Sequence, residues 1–409
     1  MHLLELLGDL QDMTMDRQFP IELLKKSKAE RLAYFENYKM GHPHLDDAFE
    51  RIKPIIRNPG ETKVINIVGP TGSGKSTLRK LLEKWIIEEL LNVLETDPGR
   101  MPFASVTASL HEKTGVFDHK THCIRSLEAL HEPQEFIKHK INYGNSTVYY
   151  DDRGQLVLKP RVLLTDLGWA LEQALKHRKP IVFFIDEAHH TLATSSGRKL
   201  TDIPEAVKSL AILTEVLHCM VGTYDLLTLQ DVGDQLARRS IYIHLPRYDA
   251  QFKEDREIWK DIILNLQLHI PIVEQPDLES YWEFLYDRCL GCMGILKDLI
   301  WCALADALEE GAHTITLQHL ERRVKDPGMC FNILTKIKEG EKRFAEMVGS
   351  VDKLRQETGL DVEPISRSQY KPVLNLATEA TPVVPPVEKP QRRKRVGQRN
   401  AKRDRVGSE

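Results

Sequence analysis

The sequence predicts an α/β chain, a five-stranded parallel sheet built around a phosphate-binding loop, followed by a small helical lid and a disordered basic tail. Three observations lead there. Five short apolar runs, "VINIV", "FASVTA", "IVFFI", "VLHCMVG" and "SIYIHL", alternate with helical patterns between residues 61 and 245. The first run leads directly into a glycine-rich loop and then a helical pattern. Residues 246–335 have helical periodicity throughout, with no further strand-like run.

The segments can be taken in order. Residues 1–60 read as a helical extension, with "AERLAYFENYKM" giving apolar positions at helical spacing before a break at Gly41-His42-Pro43. Residues 61–245 form the α/β domain. Between its second and third strands lies an insertion at about 126–160, where "TVYYDDRGQLVLK" alternates on both sides of Asp152-Arg153-Gly154, the pattern of a β-hairpin. Residues 246–335 form the lid, whose helix "GILKDLIWCALADALEEG" should stop at Gly311. Residues 336–360 read as a charged helical extension, and 361–409 as a Pro-rich, then basic, disordered tail.

Composition narrows the class. No apolar run approaches the roughly 18 residues of a membrane helix, and "MHLLELLGDLQDM" carries acids where a signal peptide has a basic start. Six cysteines without framework spacing fit a reducing cytoplasm. The net charge of -3 hides an asymmetry: residues 389–409 carry nine Lys/Arg and two acids, +7, leaving -10 on the rest.

The loop Gly69-Pro70-Thr71-Gly72-Ser73-Gly74-Lys75-Ser76 has the spacing and the strand–loop–helix setting of a phosphate cradle. Glycines let main-chain N–H groups wrap a phosphate, and the helix start adds its positive dipole end. Lys75 is expected to reach the β- and γ-phosphates of ATP. Ser76 should ligate Mg²⁺, and Thr77 should support the α-phosphate. Asp186, ending the run "IVFFI", is placed for the Mg²⁺ shell, and Glu187 for general base.

"DEAH" at 186–189 also spells a helicase box. A helicase needs a second complete nucleotide fold, and only about ninety helical residues follow this sheet. His189 and His190 are read as shaping the start of the next helix. Cys289-Leu-Gly-Cys292 is a lone CxxC, and "HKTHC" at 119–123 has no ligand spacing, so neither is read as a metal site.

A small helical domain after a five-strand phosphate-loop sheet is the layout of an AAA+ ATPase. On that layout Thr223, with Asp225 second, falls where a polar sensor orients the hydrolytic water. Arg238 and Arg239 fall where an arginine finger reaches a neighbouring subunit's γ-phosphate, which implies an oligomer. The lid has Gly291-x-x-Gly294 where many such proteins have Gly-x-x-Arg, and Lys297, one turn on, is the candidate lid cation for ATP.

"GHPHLDDAFERIKPIIRNPGETKVINIVGPTGSGKST", with "FFIDEAHH", "MVGTYDL", "LARRS", "LPRYD" and "GCMGILKDLIWCALADALEEG" following in order, resembles the TniB/TnsC-like transposition-regulator ATPases over roughly residues 30–325. The resemblance implies a bacterial, cytoplasmic, DNA-associated ATPase that assembles on duplex DNA as a ring or helical filament. It would mark a target site with a target-selector protein, recruit a transposase, and disassemble on hydrolysis. It would also turn "SLHEKTGVFDHKTHCIR" toward DNA, making Lys113 and Lys120 the candidate, sequence-independent phosphate contacts. The basic tail could tether DNA or dock on the transposase. An origin-recognition or helicase-loader ATPase shares the core and lid, though 336–409 look too charged and Pro-rich for a winged-helix DNA reader. A phosphate-loop signalling switch in phage defence would need effector modules that the sequence does not display.

Overall fold

The computed structural model describes residues 17–97, 99–131, 148–150, 156–158, 163–193, 202–232, 238–358 and 360. The chain divides into two compact units, Met1–Val348 and Gly349–Glu409. The described part of the second contains one short exposed helix, Val351–Glu357. The expected basic tail, 361–409, and the hairpin turn, 151–155, lie outside the described residues.

In the first unit, β1 (Val64–Val68), β2 (Phe103–Thr107), β5 (Val182–Asp186), β6 (Leu217–Gly222) and β7 (Ser240–His244) form one five-stranded sheet in the order β2-β5-β6-β1-β7. All four pairings are parallel. β1 and β6 are buried along their whole length, as central strands of a sheet covered on both faces must be. The short strands β3 (Val148–Tyr150) and β4 (Leu156–Leu158) pair antiparallel, the hairpin read from the insertion.

Two helices cover one face of the sheet. These are α2 (Pro43–Arg57) and α3 (Lys75–Thr96), whose Leu45, Ile52, Leu78 and Leu82 pack on Ile65 and Ile67. On the other face, α4 (His119–His131) and α5 (Leu164–Arg178) set Leu127, Leu130, Leu167 and Leu171 against Phe183, Ile185 and Met220. Burying each such side chain contributes about 1.5–3 kcal/mol. A further helix, α6 (Asp202–Thr214), precedes β6.

The lid is built from α7 (Lys253–Leu268), α8 (Trp282–Cys289), α9 (Met293–Glu310) and α10 (Leu317–Glu321) around fully buried Trp259, and α9 stops at Gly311 with φ +70° as expected. The residues before the phosphate loop are not one extension. Helix α1 (Lys28–Asn37), started by a Ser27–Glu30 capping box, buries Phe35 in the lid core, and Arg31 Nε donates to the Pro271 carbonyl at 2.7 Å. Helix α2 instead belongs to the sheet. Pro43 occupies its first turn, where the missing N–H costs nothing.

The expected border between lid and charged extension, at 335/336, falls inside one continuous helix, α11 (Pro327–Val348). This helix returns to the sheet. Phe344 stacks on His244 with ring centroids 4.3 Å apart, and Tyr224 Oη and His244 Nε2 are 2.8 Å apart. Buried Arg247, just past β7, meets Asp249 at 2.7 Å and Glu341 of α11 at 3.0 Å, and donates to Tyr286 Oη at 2.9 Å.

Candidate functional site

The phosphate loop leaves β1 at the carboxyl edge of the sheet. Gly72 and Gly74 have φ of +81° and +100°, conformations that glycine adopts without strain. Ser73 Oγ is buried inside the loop without a hydrogen-bond partner. Lys75 Nζ donates to the carbonyls of Gly69 at 3.0 Å and Pro70 at 2.6 Å. Burial pulls its ammonium down to about 8, against the pull of Glu187 and Asp186. Thr71 and Ser76 are exposed and Thr77 half-buried.

Parallel register sets the rest of the edge. Val68 lies opposite Gly222, so Thr223 leaves β6 level with Gly69. Thr223 Oγ1 donates to Asp225 Oδ2 at 2.9 Å. On the next strand, Asp186 ends β5 opposite Thr107. Its Oδ1 accepts from the Glu187 amide at 2.9 Å and its Oδ2 from Arg79 Nε at 3.2 Å. Arg79 also pairs with Glu83, which accepts from Ser105 Oγ. Glu187 has φ +50°, uncommon for a residue with a side chain, and its carboxylate is about half exposed (49%). The loop amides, Lys75 and the orphan Ser73 hydroxyl suit a polyphosphate. The Ser76 and Asp186 oxygens suit a hard cation such as Mg²⁺. These residues could hold a nucleotide and its cation, and the Glu187 carboxylate stands beside them.

Other expected residues separate. Arg238 is exposed and Arg239 half-buried, and both precede β7, at the edge of the sheet opposite the phosphate loop. The Arg239 carbonyl accepts from the amides of Lys63 and Val64. Lys113 and Lys120 are exposed. Lys113 sits in the turn closed by the Leu110–Phe117 bridge and Lys120 in the first turn of α4, both after β2 on the phosphate-loop edge. Lys297 does not present a free cation. Its ammonium donates to the carbonyls of Glu36 at 2.7 Å and Tyr38 at 2.5 Å, tying the lid to the end of α1. The lid meets the loop through the Gly294 amide, which donates to the Gly72 carbonyl at 2.7 Å, and through the Ile295 side chain, which lies against Gly72.

Three features were not read from the sequence. Arg79 stands four residues after Lys75 and four before Glu83, a helical spacing that could have flagged it. His42, buried at the start of α2, lies 2.8 Å from Tyr248 Oη and borders Gly74, and its burial lowers its pKa to about 4. The Arg247–Glu341 pair had no local signal. Cys289 and Cys292 are buried free thiols, and no metal-ligand group among the described residues includes them.

A family described as an AAA domain matches residues 58–230. No curated protein matches the sequence. Among solved structures, the ORC2 protein of Aeropyrum pernix in ADPNP–ADP complexes is 15% identical, over 71% of this chain and 70% of that one, with a TM-score of 0.44. The ORC1 protein of the same organism, in complex with DNA, is 13% identical over 73% and 69%, with a TM-score of 0.47. A Walker-type ATPase of Pyrococcus abyssi is 14% identical over 82% and 90%, with a TM-score of 0.42. At these identities the likenesses assign no role to any residue here.

Proposed function

We propose that this chain, which carries an AAA+ ATPase domain, runs an ATP-driven assembly cycle on duplex DNA and serves as a regulator of transposition. ATP·Mg²⁺ is held by Lys75, Ser76 and Asp186, water is activated by Glu187 and oriented by Thr223, and Arg238 or Arg239 of a neighbouring copy completes the site.

One observation carries the assembly half of the reading. Lys75, Asp186, Glu187 and Thr223 share one edge of the sheet, whereas Arg238 and Arg239 occupy the opposite edge. A five-residue strand separates the edges by about 17 Å, beyond the reach of an arginine side chain to its own chain's phosphates. Such an arginine serves a site only in trans.

The DNA and transposase half is supported by the order of motifs from "GHPHLDD" to "ALADALEEG", which resembles the TniB/TnsC-like regulators. Exposed Lys113 and Lys120, and the nine basic residues of 389–409, supply cations for sequence-independent phosphate contacts. An origin-recognition type of ATPase fits the same fold and is the second reading.

The test is anisotropy of labelled random-sequence duplex DNA with ATP, ADP or a slowly hydrolysed analogue, with parallel negative-stain images. Rings or filaments that need ATP, ignore DNA sequence and vanish in Lys75→Ala and Arg239→Ala are expected. Nucleotide binding without DNA binding would refute the reading in favour of a signalling switch.

A further inference from the structure

The turn after β5 offers more ligand atoms than ATP turnover uses. Glu187, His189 and His190 each present one, and the three atoms lie within 4.8 Å of one another, the only such group among the described residues. His189 Nδ1 comes within 3.3 Å of Glu187 Oε2. That approach lacks the angles of a hydrogen bond, and Nδ1 is buried without a hydrogen-bond partner. A ring nitrogen buried in this way is costly unless something takes it up. The two imidazole rings lie at 45° with centroids 4.3 Å apart.

The backbone fixes this arrangement. Glu187 turns the chain through its positive φ, and a 3-10 turn, Ala188–Leu192, follows at once. The His190 amide donates to the Glu187 carbonyl at 2.9 Å, and Thr191 Oγ1 to the Ala188 carbonyl at 2.6 Å. The His189 ring is pressed against the end of β6, where a Cβ on Gly222 would stand 3.3 Å from Nδ1. The ligands are therefore held on a rigid turn between two strand ends, as a metal site requires.

Two imidazoles and one carboxylate make an N₂O donor set, which suits Zn²⁺ and its neighbours among the divalent transition ions. Mg²⁺ prefers oxygen and keeps its own waters. We propose that Glu187, His189 and His190 form a transition-ion site of the Zn²⁺ class, separate from the Ser76 and Asp186 oxygens. A carboxylate bound to such an ion loses most of its basicity and takes a proton from water poorly. Occupation thus suppresses turnover while leaving the phosphate loop free to bind nucleotide. This inhibitory half rests on Glu187 being the base; the binding half does not.

The experiment titrates Co²⁺ into the full-length protein without nucleotide, following visible absorption, and then competes with Zn²⁺ and with excess Mg²⁺. His190→Gln and Glu187→Gln are compared, with circular dichroism to confirm folding. The expected result is one Co²⁺ equivalent that Zn²⁺ displaces and Mg²⁺ does not, weakened at least about tenfold in each variant. Identical titrations for wild type and both folded variants, or displacement by Mg²⁺, would overturn the site. A protein that binds the ion but never hydrolyses ATP sinks the functional reading and leaves the site standing. Turnover insensitive to Zn²⁺ in a protein that binds it removes the inhibitory half.

Discussion

The amide of Gly294, at the start of α9, donates to the carbonyl of Gly72 inside the phosphate loop at 2.7 Å. Lid and loop are thus joined main chain to main chain, with the Ile295 side chain packed beside Gly72. A Cβ on Gly294 would stand 2.8 Å from that carbonyl oxygen, and backbone cannot swing aside as a side chain can. Gly294→Ala should push the lid off the loop at a cost of about 1–3 kcal/mol. A weaker affinity for a fluorescent ATP analogue, with the unfolding transition still cooperative, is the expected outcome. An unchanged affinity would show that the junction is irrelevant to nucleotide binding.

Glu187→Gln keeps the size of the side chain and removes its basicity. Turnover should fall by about 10²–10⁴-fold, the usual worth of a general base, with ATP binding retained. Single-turnover hydrolysis beside equilibrium nucleotide binding separates the two. Loss of both together would mean that the residue shapes the loop and does not act on water.

His122 and His218 are buried on the same side of the sheet, and desolvation lowers each to about 4 from an ordinary 6.5. The unfolded chain takes up the proton first, so the stabilisation is complete above pH 6.5 and drains away as pH falls toward 4. Between pH 7.5 and 5 each imidazole should cost about 2 kcal/mol. Urea midpoints across that range test the slope, and His218→Asn should flatten it. A wild-type midpoint independent of pH would refute the assignment.

Arg247→Met should be costly because it strands Glu341, whose carboxyl is already raised by burial. Breaking a buried pair from one side typically costs about 3–5 kcal/mol, whereas replacing both partners often restores stability. Arg247→Met with Glu341→Met should therefore be more stable than Arg247→Met alone in thermal melts. Strict additivity of the two changes would deny the coupling.

The sheet was legible because a strand buried on both faces is mostly apolar, and "VINIV", apolar except for buried Asn66, became β1 residue for residue. The phosphate loop was legible for a similar reason, since glycines at fixed spacing have few other uses. For Lys297 the sequence shows a charge but not what the charge faces, and here the carbonyls of Glu36 and Tyr38, at the end of α1, accept from it. The same limit hid the partner of α1: its apolar spacing announces a buried face, and only the fold reveals that the face meets the lid. In α11 a charged surface concealed a thin inner stripe of Cys330, Ile337 and Gly340.

The placement of α1 has a consequence for synthesis. Arg31 and the carbonyl it holds, that of Pro271, are 240 residues apart in the chain. At about 5–20 residues per second, a ribosome needs roughly 10–50 s to cover that distance. Throughout this interval the Phe35 face of α1 is outside the tunnel with nothing to pack on. An apolar face left open for that long is the kind of surface that holdase chaperones bind, and the lid becomes whole only when the last third of the protein emerges.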